Sequence, residues 1–171
     1  RRQRQMCIRD STISILVENH AGVLARVAGL FARRGFNIDS LAVGVTEDEK
    51  ISRITIIADG TAYTLEQIEK QLNKLIDVIK VRHLPAEELL SRELVLIKVA
   101  CQPSQRAELI SLAEIAKAKI SDITVNTMTL ELSDSVPRIK TFEELLRPYG
   151  IKETVRTGSI AMQKGGASMK L

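Results

Sequence analysis

The stretch Glu18-Asn19-His20-Ala21-Gly22-Val23-Leu24 carries the residues best placed for chemistry. It joins an alternating apolar run, Thr12 to Val17, to an amphipathic run, Val23 to Arg34, so it reads as a strand entering a helix. The first N–H groups of a helix have no intrahelical acceptor, and that end of the helix favours negative charge. Gly22 has no side chain, so a small anion can approach the N–H groups of Val23 and Leu24. Asn19 offers a carbonyl and an NH₂, hence both polarities. Asn37, just past Gly35, places a second amide at the start of the next strand, where it can meet a ligand held by a neighbouring chain. The chemistry is the holding of a small anionic or zwitterionic molecule. Plainer roles exist for the same residues. Asn19 suits a turn or cap, and Gly22 suits tight helix entry. Asn37 and Asp39 suit a strand start or bulge, and Arg33-Arg34 suit the basic end of a helix.

Little else invites a reaction. Cys7 and Cys101 match no metal spacing, and Cys101 ends an apolar run as a small hydrophobe would. His20 and His83 are far apart, with no His/Cys cluster, so no metal is expected. Asp39, Asp48 and Asp59 are dispersed, and no nucleophile–base pairing is visible. No residue is assigned a catalytic role.

Composition narrows the classes further. The 171 residues allow one domain or two small ones; 44% are hydrophobic, but only 3% are aromatic and Trp is absent, so the core must be aliphatic. No aromatic platform for single-stranded nucleic acid is present. The net charge of +4 falls to about +1 once Arg1 to Asp10 is set aside, which weakens any nucleic-acid reading based on charge. No apolar run reaches the roughly 18 residues of a membrane helix, and no signal-peptide core follows the arginines. The expected location is cytoplasmic, without membrane or nucleic-acid partners.

Two halves share one rhythm. Strand, helix, strand, strand, helix, strand is read over 12–84, with Gly35 stopping the first helix and Thr64 capping the second. A linker at 85–91 contains Pro85. The order repeats over 92–160, with Pro103 and Pro137 in the first turns of the helices. Residues 1–11 are read as a disordered or non-native extension and 161–171 as a flexible tail. The fold class is α+β: two ferredoxin-like βαββαβ domains, each with two helices on one face of an antiparallel sheet. Domains of this size are marginal alone, and apolar pairs such as Ile56-Ile57 and Val95-Leu96-Ile97 suggest burial on both faces, so association of sheets is expected.

Asn19-His20-Ala21-Gly22-Val23-Leu24-Ala25-Arg26-Val27 with Phe31-Ala32-Arg33-Arg34-Gly35-Phe36-Asn37-Ile38-Asp39-Ser40-Leu41 resembles an ACT domain, specifically that of the acetolactate synthase (acetohydroxyacid synthase) small-subunit family. Arg92-Glu93-Leu94, Ala113-Glu114-Ile115 and Arg147-Pro148-Tyr149-Gly150-Ile151 carry the resemblance into the second half. Ala116 departs from the Phe common there. The resemblance implies a non-catalytic homodimer, paired through its ACT domains, that activates a large catalytic subunit and confers feedback inhibition. It implies L-valine, with L-leucine or L-isoleucine as further candidates, held by Asn19, Gly22, Val23 and Leu24 of one chain and Asn37 and Ile38 of the other. Gly44 matches a position tied to feedback sensitivity. Thiamine diphosphate, Mg²⁺ and FAD are implied for the large subunit and no cofactor for this chain. The alternative is a stand-alone ACT-type sensor controlling a different enzyme or a transcription factor.

Overall fold

The computed structural model describes residues 10–170, in two compact units. Among the described residues, one contains 10–90 together with 160–170; the other is Ser91–Ser159. Cys7 and most of the basic extension lie outside the described residues, but the first strand already begins at Asp10, so Asp10 and Ser11 belong to the sheet.

In the first unit, β1 (Asp10–Glu18), α1 (Val23–Arg33), β2 (Ile38–Val45), β3 (Ile51–Asp59), α2 (Ala62–Leu72) and β4 (Val78–Leu84) form an antiparallel sheet of order β2-β3-β1-β4. Alternation sends Ile13, Ile15, Val17, Ile54 and Ile56 to one face, where Val27, Leu30, Phe31, Ile68 and Leu72 of the helices cover them. Phe31 is fully buried, a burial that contributes about 1.5–3 kcal/mol. Helix α1 ends in a Schellman motif. Gly35, at φ +70, donates to the Ala32 carbonyl and Phe36 donates to Phe31, which releases the chain toward β2.

Several boundaries differ from expectation. The cap of α2 is Thr61, whose Oγ1 accepts from the Thr64 N–H, because the helix starts at Ala62. Leu24, the second residue of α1, is 41% exposed, while Val23, Val27, Leu30 and Phe31 form the buried side of the helix.

In the second unit the sheet order is β6-β7-β5-β8, from β5 (Leu89–Ala100), α3 (Arg106–Ala116), β6 (Lys119–Ile123), β7 (Thr127–Asp134), α4 (Val136–Leu146) and β8 (Ile151–Arg156). Its core repeats the first, with Val95, Ile97, Leu130, Leu109, Ile139 and Phe142 buried together. Burial on both faces does not extend to Leu96, which points away from the helices and stays partly exposed, as does its neighbour Val155. The linker is shorter than 85–91. A single 3₁₀ turn, Ala86–Glu88, leads straight into β5.

The end of the chain is not simply a flexible tail. Ile160–Gln163 forms β9, which pairs with β5, whose first residues Leu89 and Leu90 belong to the first unit. The Lys164 N–H donates to the Glu88 carbonyl at 2.7 Å. The segment lies along the sheet face away from α1 and α2. There Arg53 donates to the Ala161 carbonyl at 2.9 Å and Lys80 to the Lys170 carbonyl at 2.6 Å. Its strand is short and its partners are distant in sequence, so no local periodicity marks it.

Candidate functional site

The turn between β1 and α1 is the uncapped start of a helix. Gly22 adopts φ 88°, ψ −13°, and no side chain caps the turn. A Cβ added there would meet nothing within 4 Å. The first helical bond runs from the Arg26 N–H to the Gly22 carbonyl, so the N–H groups of Val23 and Leu24 precede the ladder. The Val23 side chain is buried in the core and offers the site only its N–H, whereas Leu24 adds exposed apolar surface. Asn19 is tied to the β2–β3 hairpin twice. Its N–H donates to the Lys50 carbonyl and its side-chain NH₂ to the Glu49 carbonyl, both at 2.8 Å, which leaves the side-chain oxygen to accept. Beside it opens a hollow of about 660 Å³ lined by Glu18, Asn19, His20, Asp48, Glu49 and Lys50 among others. The carboxylates of the hollow suit an ammonium, and the N–H groups at the start of α1, outside the hollow's lining, suit a carboxylate.

A second part of the turn carries no local signal of its role beyond one acid among apolar residues. Asp77, in the connection from α2 to β4, is buried and binds His20 and Arg26. His20 Nε2 lies 2.9 Å from Asp77 Oδ1 and 3.3 Å from Glu18 Oε2, and Nδ1 lies 3.2 Å from the Ala21 carbonyl. The Asp77 carbonyl also accepts the Glu18 N–H at 2.9 Å. An acid inside Leu75-Ile76-Asp77-Val78 was the available signal, since a carboxylate among apolar residues needs a partner. Donor atoms of Glu18, His20 and Asp77 lie within 4.8 Å of one another, as a metal would require. The Arg26 guanidinium already shares Asp77 and supplies the positive charge there.

Asn37 and Ile38 lie elsewhere in the chain. Register places Ile38 opposite Ala58 and Ser11, at one end of the sheet, and Val45 opposite Ser52 and Val17, at the other end beside Asn19. Seven residues of strand separate the two ends by roughly 23 Å. One chain therefore does not bring the expected residues together. Asn37 donates to Asp39 Oδ1 at 2.7 Å and is exposed, while Ile38 leans on the core. Strand β2 is an edge strand that exposes Val43 and Val45. Gly44 faces away from the helices, opposite Arg53, and a Cβ there also meets nothing within the chain.

The second unit is built on the same order but closes the corresponding turn. Gln102 and Gln105 form a capping box on the 3₁₀ turn Pro103–Gln105 that leads into α3, where the Gln102 N–H donates to Gln105 Oε1, and Cys101 is fully buried. The helix start that is open at Gly22 is filled at Gln102 by the chain's own side chains.

Comparison with known proteins follows the same division. A family profile described as "AHAS small subunit-like ACT domain" matches residues 13–80, and one described as "Small subunit of acetolactate synthase" matches residues 92–165. The chain is 49% identical to a "Probable acetolactate synthase small subunit" of Archaeoglobus fulgidus, over 90% of this chain and 96% of that one. It is 44% identical to the "Acetolactate synthase small subunit" of Mycobacterium leprae, over 90% and 91%. The crystal structure of an acetolactate synthase small subunit from Thermotoga maritima superposes with a TM-score of 0.87 at 39% identity, covering 94% of this chain and all of that one.

Proposed function

The chain belongs to the acetolactate synthase small-subunit family, a non-catalytic regulatory family of branched-chain amino acid biosynthesis, and from that membership we propose that it senses valine at the Gly22 turn across a dimer of its first units. The observation that carries the proposal is the contrast between the open helix start at Gly22 and the capped one at Gln102.

The valine carboxylate takes the N–H groups of Val23 and Leu24. Its ammonium takes the Asn19 oxygen and the carboxylate-lined hollow. The branched side chain meets apolar surface such as that of Leu24, where one methylene discriminates by about 1–3 kcal/mol, so leucine and isoleucine remain weaker candidates.

Topology supports a site shared between two chains. If two copies of β2 pair antiparallel about a two-fold axis, the start of one lies beside the end of the other. Asn37 and Ile38 of one chain then approach the partner's hairpin, and with it the partner's Asn19 turn. Pairing also covers Val43 and Val45 and removes an exposed sheet edge. Because Asn19 hangs on Glu49 and Lys50, a ligand that reshapes the turn moves the hairpin that leads into the paired edge. Such linkage alters how the dimer supports the large catalytic subunit, where thiamine diphosphate, Mg²⁺ and FAD reside in this proposal; coupling of about 1–3 kcal/mol suffices.

The test is reconstitution with the large subunit, following acetolactate formation across a valine titration. Stimulation by this chain, reversed by valine, supports the proposal. Stimulation that valine leaves unchanged contradicts the effector assignment, and failure to bind the large subunit favours a sensor acting on another enzyme.

A further inference from the structure

We infer that His20 is a positioning residue for the effector turn, which it clamps in the ligand-ready shape only as the imidazolium, so that amino-acid binding is coupled to proton uptake. The inference rests on the Gly22 turn being the effector site.

The geometry sets the protonation state. Nδ1 faces the Ala21 carbonyl, and Nε2 faces the carboxylates of Asp77 and Glu18. All three partners are acceptors. A neutral imidazole carries one N–H and one bare lone pair, so either tautomer would turn a lone pair toward an oxygen. Only the doubly protonated ring satisfies both sides.

The surroundings agree from every element packed there. Strand β1 presents Glu18, and the α2–β4 connection presents the buried Asp77. Helix α1 presents Arg26, which bonds the second oxygen of Asp77. The β2–β3 hairpin presents Asp48, Glu49 and Lys50 around the same hollow. Four carboxylates face two other cations, which favours the charged ring. The His20 pKa is accordingly raised from its ordinary value. The bond to the Ala21 carbonyl is the largest cause, desolvation opposes it, and Asp77 and Glu18 add to it.

The contact matters because Ala21 immediately precedes Gly22. The ring fixes the peptide that leads into the left-handed corner, while Asp77 anchors the other end through the Glu18 N–H. Loss of the proton leaves the ring able to hold one side only, and the corner is released. The sign follows from a folded pKa above the ordinary 6.5. The clamp is fully present below 6.5 and is lost as the pH rises through the higher folded value. Valine therefore binds more tightly on the acid side of that window, with a dependence of at most about tenfold per pH unit for one proton.

The experiment uses the full chain and the neutral variant His20→Gln. The ring protons of His20 are titrated by NMR, with His83 as the internal comparison. Valine binding is measured by calorimetry from pH 6 to 8.5 in two buffers of different ionisation heat. The expected result is a His20 titration above 6.5, wild-type affinity that falls several-fold over the range with proton uptake, and a flat profile for His20→Gln. A His20 titration at or below 6.5, or the same pH profile in both proteins, overturns the inference. If valine binds neither protein at any pH, the effector assignment and the coupling fall together, while the ring titration still decides whether the protonated clamp exists.

Discussion

Substitution at Gly22 separates the two things that its geometry does. At φ +88 any side chain is strained, by about 1–2 kcal/mol. No clash adds to this, because a Cβ there meets nothing within 4 Å. Gly22→Ala should therefore cost about 1–2 kcal/mol of stability, a fall in Tm of roughly 2–8 °C for a chain of this length. The effect on valine has a different origin. In the proposed site the added methyl stands where the valine carboxylate approaches the N–H groups of Val23 and Leu24, and hydrogen bonds to a charged group are worth about 1.5–3 kcal/mol each. Losing one weakens valine about 10- to 150-fold. Gly22→Asp should be more severe, because a carboxylate at this cap position is within reach of the Leu24 N–H and repels the carboxylate of the proposed ligand. Thermal unfolding and calorimetric valine titration on the same samples separate strain from binding. Valine affinity unchanged in Gly22→Asp, with the chain folded, would refute the placement of the carboxylate.

Other perturbations test the surrounding framework. Val43→Lys puts like charges on the edge of β2 and should yield monomers in sedimentation that no longer bind valine; an intact dimer would show that the edge is not the pairing surface. Arg156 joins the buried Glu93 at 3.3 Å and Glu143 at 2.5 Å in the second unit, so Arg156→Ala should cost about 3–5 kcal/mol in denaturant unfolding by leaving Glu93 unpaired. Burial pushes the Asp134 carboxyl up, but the Ser135 N–H, Arg138 and Arg92 outweigh it and hold the pKa below the ordinary 3.8. Its stabilisation is present above that value and lost as the pH falls through the lower folded pKa, so Asp134→Asn should be less stable than wild type at pH 7, with the difference shrinking as Asp134 becomes protonated in acid.

The fold was legible because each half repeats the same switch between period two and period 3.6, punctuated by Gly35, Pro85, Pro103 and Pro137. Gly22 and Asn19 were legible as a helix entry with a spare amide. The Asp77 cluster was not, because its members come from β1, the Asn19 turn, α1 and the α2–β4 connection, and only the folded chain collects them. Strand β9 was hidden for the same reason: its partners lie some seventy residues away, at Glu88 and β5. The separation of Asn37 from Asn19 could be seen only once register placed them at opposite ends of one sheet, and it is why the proposed site requires two chains.

Mixed dimers address that requirement most directly. A Gly22→Asp chain paired with an Asn37→Ala chain concentrates both defects in one site and leaves the other with an intact turn from one protomer and an intact Asn37 from its partner. Each variant alone should bind valine weakly or not at all. The purified mixed dimer, made by co-expression with two tags, should regain one wild-type site per dimer by calorimetry. A mixed dimer as defective as its parents would contradict a site completed by the neighbouring chain.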